Sequence, residues 1–454
     1  MSELTSVGLD VGTTTTQLIV SKLTVENQAS SFTVPQLQIA RRQVVYRSPV
    51  YFTPLIGTDL VDGEKIREIV KKEYAAAGLT TQSVDTGAVI ITGETSRREN
   101  ARAVLHALSD YAGDFVVATA GPELESVLAA KGAGADRLSE ESGKTVLHMD
   151  IGGGTSNLAL FAQGKLVAAG CLNVGGRLLK LDGQGKITYV SPVLSGLTDL
   201  QVGDAPSNSK LEAVAEILTQ ALEMAAGLRP ATELLDKLQT GEAAKWQARK
   251  ADMVSFSGGV ADCIETVQAP GKFGDIGPVL GQAIRKSLLC KGEYTLGENT
   301  IRATVIGAGC HSAQLSGSTV FYKNVTLPLK NLPTAVFTLQ EQASDELPQL
   351  ITQRLSQYDT DAVVLSLPGV PEGYGQLSEL AAKIAKGTAG KPMFVCLQED
   401  MAKALGQKLS LLLPDVPCLC IDRVQLQGES FLDVGAPVGP ALPVVVKTLV
   451  LQNK

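Results

Sequence analysis

Two stretches of this 454-residue chain place an aspartate at the end of an apolar run and follow it with glycine and threonine: Asp10-Val11-Gly12-Thr13-Thr14-Thr15 and Asp150-Ile151-Gly152-Gly153-Gly154-Thr155. A glycine-rich reversal can gather backbone N–H groups into one concavity, and threonine hydroxyls add neutral donors beside them. Such a nest suits phosphate oxygens without a lysine. An aspartate at the strand end is placed to hold Mg²⁺ through water, because that ion keeps much of its hydration shell. The first turn alone reads equally well as a hairpin with a capping aspartate and solvent-facing threonines. Three consecutive glycines after a buried strand, however, cost conformational entropy unless another group must approach the backbone. Two such hairpins can clasp a polyphosphate from both sides, with the metal between Asp10 and Asp150. Asp10 and Asp150 are then the candidate catalytic and metal-holding residues. Gly12, Thr13, Thr14, Gly152, Gly153, Gly154 and Thr155 are the candidate phosphate contacts.

These turns need strands behind them. Leu4 to Leu9 and Gln17 to Leu23 flank the first turn; Val146 to Ile151 and Asn157 to Ala162 flank the second. The strand–Asp–turn–strand unit thus occurs twice at a spacing near 140 residues, too long for a solenoid and suited to two domains built alike. Strands are also expected within 32–52, 87–91, 115–118 and 253–256, and helices over 62–77, 96–111, from Pro122 to about Lys131, 211–227 and 304–313. After Ser316 the texture changes. Strand candidates 334–339, 361–367, 392–397 and 417–421 alternate with helix candidates 346–357, 376–386 and 400–412. That alternation predicts βαβ units and a mainly parallel sheet. The expected domains are 1–144, 145–317 and 318–454, all α/β.

Composition excludes several functions. Lys plus Arg is 40 against 47 Asp plus Glu, a net charge of −7, so no basic footprint for nucleic acid or anionic lipid is expected. Aromatics are 4%, with Trp246 the one tryptophan, too few for a base-stacking platform. The seven cysteines (171, 263, 290, 310, 396, 418 and 420) include no C-x-x-C, which argues against zinc and disulfide frameworks. Cys418 and Cys420 read as buried small residues on one strand face. Three histidines leave little material for a His-based centre. No secretory signal and no membrane-length apolar run is visible, so a cytoplasmic location is expected.

Asp10 to Thr14 resembles the first phosphate loop of the actin/Hsp70/sugar-kinase superfamily, and Asp150 to Thr155 resembles its second. Phe256-Ser257-Gly258-Gly259-Val260 is similar to the adenosine motif, which adds Gly258 and Gly259 to the cofactor contacts. The segments around Gly121-Pro122-Glu123 and Ile306-Gly307-Ala308-Gly309 resemble the two connecting helices. The resemblance implies actin-like (ribonuclease H-like) duplicated ATPase lobes plus a C-terminal α/β domain, with ATP or ADP and Mg²⁺ as ligands. Hsp70-type members carry a Glu directly before that Pro, where this chain has Gly121; slow turnover, or binding alone, is the implied activity. Across its whole length the chain is similar to the reactivating factors of ethanolamine ammonia-lyase. Gly8 to Thr15, Ile91-Thr92-Gly93-Glu94-Thr95, Asp150 to Thr155, Asn173-Val174-Gly175-Gly176-Arg177 and Val444 to Leu449 carry that likeness. It implies an ATP-dependent chaperone that ejects damaged cobalamin so that intact cofactor can enter, with the lyase as partner, possible self-association, and a cytoplasmic or microcompartment setting. A small-molecule kinase and an actin-like filament protein stay open as alternatives. Glu94 could meet a ligand at its strand end or cap a helix with Thr92, and Arg97 and Arg98 could reach a phosphate or lie on a solvated face.

Overall fold

The computed structural model describes residues 2–12, 15–27, 37–56, 60–91, 104, 108, 117–119, 122–240, 246–297, 300–311, 314–316, 319–358, 360–369, 371, 373–424, 426, 430–437 and 441–448. Strands β1 (Ser2–Val11) and β2 (Thr15–Asn27) form an antiparallel hairpin that sets Asp10 opposite Gln17. β3 (Leu37–Arg47) extends it antiparallel, while β4 (Thr86–Ile91) and β5 (Val117–Thr119) add on the other side in parallel, giving the order β3-β2-β1-β4-β5. The same plan recurs. β6 (Thr145–Ile151), β7 (Ser156–Ala162) and β8 (Lys165–Leu172) run antiparallel, and β9 (Met253–Ser257) and β10 (Glu293–Leu296) join in parallel, in the order β8-β7-β6-β9-β10. A strand order repeated with the same switch from antiparallel to parallel is the duplicated ribonuclease H-like arrangement of actin-like lobes.

Both sheets are covered on two faces, which is why their strands read as nearly continuous apolar runs. In the first, Val7, Leu9, Val89 and Ile91 meet Ile66, Val70 and Tyr74 of α1 (Gly63–Ala76). Asp62 starts that helix, its carboxylate accepting the Lys65 N–H at 3.1 Å. In the second, Leu147, Met149 and Ile151 pack beneath α4 (Asn208–Ala225) and α5 (Gly277–Lys286). Each fully buried Leu, Ile or Val contributes roughly 1.5–3 kcal/mol. The opposite faces are exchanged. Helix α2 (Pro122–Gly132), followed by α3 (Ala135–Ser142), covers Val146, Ala159 and Phe161 of the second sheet, although it follows the first in the chain. Helix α6 (Ala303–His311) returns to the first sheet, where Val305, Ile306 and Cys310 meet Ile19. The two helices cross backbone against backbone: a Cβ at Gly132 would lie 1.8 Å from the Ala303 carbonyl oxygen, and one at Gly307 1.9 Å from that of Leu128.

The third sheet has the order β11-β18-β17-β13-β14-β15-β16-β12, with β11 (Gln314–Leu315), β12 (Phe321–Lys323), β13 (Leu329–Val336), β14 (Val364–Leu367), β15 (Met393–Leu397), β16 (Cys418–Asp422), β17 (Ser430–Val434) and β18 (Pro443–Thr448). β13 to β16 are parallel, as the βαβ alternation predicts. Their crossover helices α7 (Leu347–Leu355), α8 (Tyr374–Thr388) and α9 (Ala402–Leu412) share one core on one face, since right-handed crossovers between successive neighbouring strands all fall on the same side. Val445 ties this sheet to Leu4, Leu23 and Val25 of the first. All seven cysteines are buried and free. No helix among the described residues is long and apolar enough to cross a membrane.

Candidate functional site

The two hairpins close in the same way. Gly12 N–H donates to the Thr15 carbonyl at 2.9 Å, and Gly152 N–H donates to the Thr155 carbonyl at 2.9 Å. In register, Asp10 lies opposite Gln17 and Asp150 opposite Asn157. Both turns sit at the C-terminal ends of β1 and β6, beside the C-terminal ends of the parallel strands β4 and β9, where ligands of open α/β sheets commonly bind. They line one cleft of about 630 Å³, within the range for small-molecule sites. Asp10, Gly12, Asp150, Gly152, Gly153, Gly154, Thr155, Gly258 and Gly259 all contribute to its wall. Thr13 and Thr14 lie outside the described residues, as do Thr92 to Arg98 and Gly121.

Each turn has its own support. The Thr53 hydroxyl donates to the Gly12 carbonyl at 2.7 Å and stands 3.1 Å from the Thr16 hydroxyl. Behind the second turn, Gly176 N–H donates to the Gly152 carbonyl at 3.1 Å and Arg177 N–H to the Gly153 carbonyl at 2.6 Å. The loop's carbonyls are therefore engaged on its outer side. Gly175 must be glycine, because a Cβ there would lie 2.3 Å from the Gly153 oxygen. Gly258 combines φ +87 with a place where a Cβ would sit 2.3 Å from the Ile151 oxygen. Gly154 and Gly259 are different: among the described residues, no atom beyond the chain neighbours lies within 4 Å of a Cβ built on either. The φ of Gly153 is not positive. Its constraint is spatial, a Cβ coming 3.1 Å from Cδ of Arg177.

Asp150 is 7% exposed, and burial pushes its carboxyl up to about 6, against hydrogen bonds from Ser257 and Thr304 that pull it down. The parallel register of β6 and β9 puts Ser257 beside Asp150 and Ser255 beside His148. The Ser257 hydroxyl donates to Asp150 Oδ1 and lies 2.8 Å from His148 Nε2; His148 Nδ1 lies 3.1 Å from the Ser255 hydroxyl. With its proton given to Asp150, the Ser257 oxygen accepts from Nε2–H, which fixes the tautomer and leaves Nδ1 to accept from Ser255. Burial holds His148 neutral by lowering its pKa to about 3. The aspartate is thus oriented by a buried polar ladder, not by solvent.

Sequence reasoning missed this ladder, and it missed Glu125, Asn157, Arg177, Asp262, Lys272 and Asp275 as cleft residues. Their signal was a polar residue every second place in apolar strands for His148, Ser255 and Ser257. For Glu125 it was a position in the first turn of a proline-started helix. Asn157 is 2% exposed and its Oδ1 makes no hydrogen bond among the described residues, an orphaned acceptor in the cleft wall. The described carboxylates of the cleft are Asp10, Glu125, Asp150, Asp262 and Asp275, against the cations Arg177 and Lys272. The open space before Gly154 and Gly259 fits a ligand laid against bare backbone. The acidic excess fits a cation entering with it.

The family model described as Ethanolamine utilisation protein EutA matches residues 2–452. The chain is 40% identical over 477 residues to the ethanolamine ammonia-lyase reactivase EutA of Salmonella typhimurium strain LT2, across 99% of this chain and 99% of that protein. To the protein of the same name from Escherichia coli strain K12 it is 38% identical over 469 residues, again across 99% of each. Among solved structures, the Ppx/GppA family member of Aquifex aeolicus aligns at 11% identity with a TM-score of 0.43, over 67% of this chain and 97% of that one. With the family model spanning the two hairpins, the crossing helices and the third sheet alike, the chain belongs to the ethanolamine utilisation protein EutA family.

Proposed function

We propose that this protein is an ATP-dependent reactivating chaperone of ethanolamine ammonia-lyase, which exchanges damaged cobalamin in that enzyme for intact cofactor. The lyase as target follows from the name of relatives that match end to end. The observation that carries ATP dependence is the pair of Asp–Gly–Thr hairpins facing one cleft. On this reading the N–H groups of the two turns receive the phosphates, and Gly258 and Gly259 let the nucleoside lie against the backbone. Asp10 and Asp150 hold Mg²⁺. The ion supplies positive charge against that of the phosphates when bound. Asp150, kept dry by its neighbours, gains most from that charge because it lies in a low-dielectric setting.

The chain's own residues also suggest how nucleotide state reaches the partner. Each lobe's sheet is backed by a helix connected to the other lobe, and the helices meet at Gly132 and Gly307. Closure of the cleft turns one lobe against the other about this crossing, the hinge-type motion by which ligands move domains. The third sheet, packed on the first through Val445, moves with that lobe and carries the partner surface. The deciding experiment is incubation of inactivated ethanolamine ammonia-lyase with this protein, ATP, Mg²⁺ and adenosylcobalamin. Activity returns with ATP and stays absent without it. Recovery independent of ATP, or none with it, overturns the proposal.

A further inference from the structure

Arg177 occupies a position that the phosphate-loop reading leaves without a role. It follows the glycine pair that buttresses the second turn, its N–H is bonded to the Gly153 carbonyl, and its aliphatic stem lies over Gly153. Its Nε lies 3.3 Å from Asp275 Oδ2, and the other oxygen of Asp275 accepts the Gly277 N–H at 2.8 Å. Asp275 is 7% exposed and is thereby fixed at the start of α5. Among the described residues, Nε is the guanidinium nitrogen that is hydrogen bonded, so the two terminal nitrogens remain for another partner. The other cation of the cleft, Lys272, is committed elsewhere: its ammonium donates to Gln268 at 2.6 Å and lies over the Phe273 ring.

We propose that Arg177 is the phosphate-binding cation of this cleft, and that Asp275 is a positioning residue that holds the guanidinium by Nε so that its terminal nitrogens meet phosphate oxygens. The inference rests on the nucleotide reading above and deepens it. A planar guanidinium offers two parallel N–H donors that match a phosphate, and holding one edge against a carboxylate limits the order lost when the ligand arrives. The arrangement also supplies the positive charge that neither turn carries. The loop amides give geometry, and an arginine anchored in the same lobe gives charge.

Binding of adenosine, ADP, ATP and inorganic tripolyphosphate, each with Mg²⁺, is measured by calorimetry on wild type, Arg177→Ala, Arg177→Lys and the double variant Arg177→Ala/Asp275→Asn. The double variant avoids leaving Asp275 as a buried unpaired charge, and apo thermal unfolding shows that it is folded. Arg177→Ala and the double variant should bind ADP, ATP and tripolyphosphate about 10- to 100-fold more weakly, with adenosine unchanged. Arg177→Lys should recover part of the loss. ADP binding within twofold of wild type in a folded Arg177 variant overturns the assignment, and so does an equal loss of adenosine binding, which marks a structural role. Tripolyphosphate separates the two claims. If wild type binds it but no nucleotide, the nucleotide reading fails, and loss of that binding in Arg177→Ala still upholds Arg177. If wild type binds none of the phosphate ligands, both fail.

Discussion

The two phosphate-loop hairpins share register and closing hydrogen bond, yet their settings differ. The first has a half-buried Asp10 and, among the described residues, a turn carbonyl held by Thr53 from a neighbouring segment. The second has Asp150 almost fully buried, held by Ser257 and Thr304, and backed by Gly258 and by Gly175 to Arg177. Duplicated sequence units need not carry equal loads. The second turn is preorganised by residues from three segments, and electrostatic groups fixed in advance in a dry site are those whose loss costs most.

The largest effect should come from the second turn's foundation. Gly258→Ala forces a left-handed φ on a residue with a Cβ and drives that carbon into the Ile151 carbonyl, at a cost of about 2–5 kcal/mol in denaturant unfolding. Gly259→Ala, facing open space, should leave unfolding unchanged. Equal stability of the two would show that the backbone at this turn relaxes and is not preorganised.

Next come the aspartates. Asp150→Asn should lower Mg²⁺-dependent ATP turnover roughly 10²- to 10³-fold without loss of apo stability, because it removes a charge that burial disfavours in spite of its hydrogen bonds. Asp10→Asn should cost roughly tenfold less, its carboxylate being nearer water. Steady-state ATPase rates on both variants decide it. The reverse order would break the asymmetry, and wild-type rates in both would remove the metal role altogether.

Smaller effects sharpen the picture. Gly154→Val puts a side chain into the cleft and touches no protein atom as far as its Cβ. It should weaken nucleotide binding roughly tenfold, visible as a reduced nucleotide-induced shift in melting temperature, while apo unfolding is retained. A joint loss of folding and binding would return the turn to a plain hairpin. Thr53→Val, which deletes the donor to Gly12, should cost about 1 kcal/mol of stability and alter turnover less than Asp10→Asn does. A larger effect on turnover would show the first turn to be as preorganised as the second.

Much of this was legible locally. The two Asp–Gly–Thr turns, the proline-started helix at Pro122, the Gly258-Gly259 turn and the alternation of strands and helices after Ser316 each declare themselves within a dozen residues. Their physics is local: turn conformation, helix starts and the period of apolar burial. The start of β13 was placed late, at 334 instead of Leu329, because Pro333 masks a strand that is otherwise paired with β17.

What the sequence could determine by itself was therefore which residues share a strand face and where glycine relieves the backbone. It could say that His148 and Asp150 lie on one face of β6, and Ser255 and Ser257 on one face of β9. Only the tertiary structure decided that these faces abut, because the contacts join residues 107 and 109 positions apart, and the Arg177–Asp275 pair joins residues 98 apart. Burial did the rest. A carboxyl titrates by its surroundings and not by its neighbours in the chain, so the raised value at Asp150 exists only once β9 and the residues around Thr304 close over it.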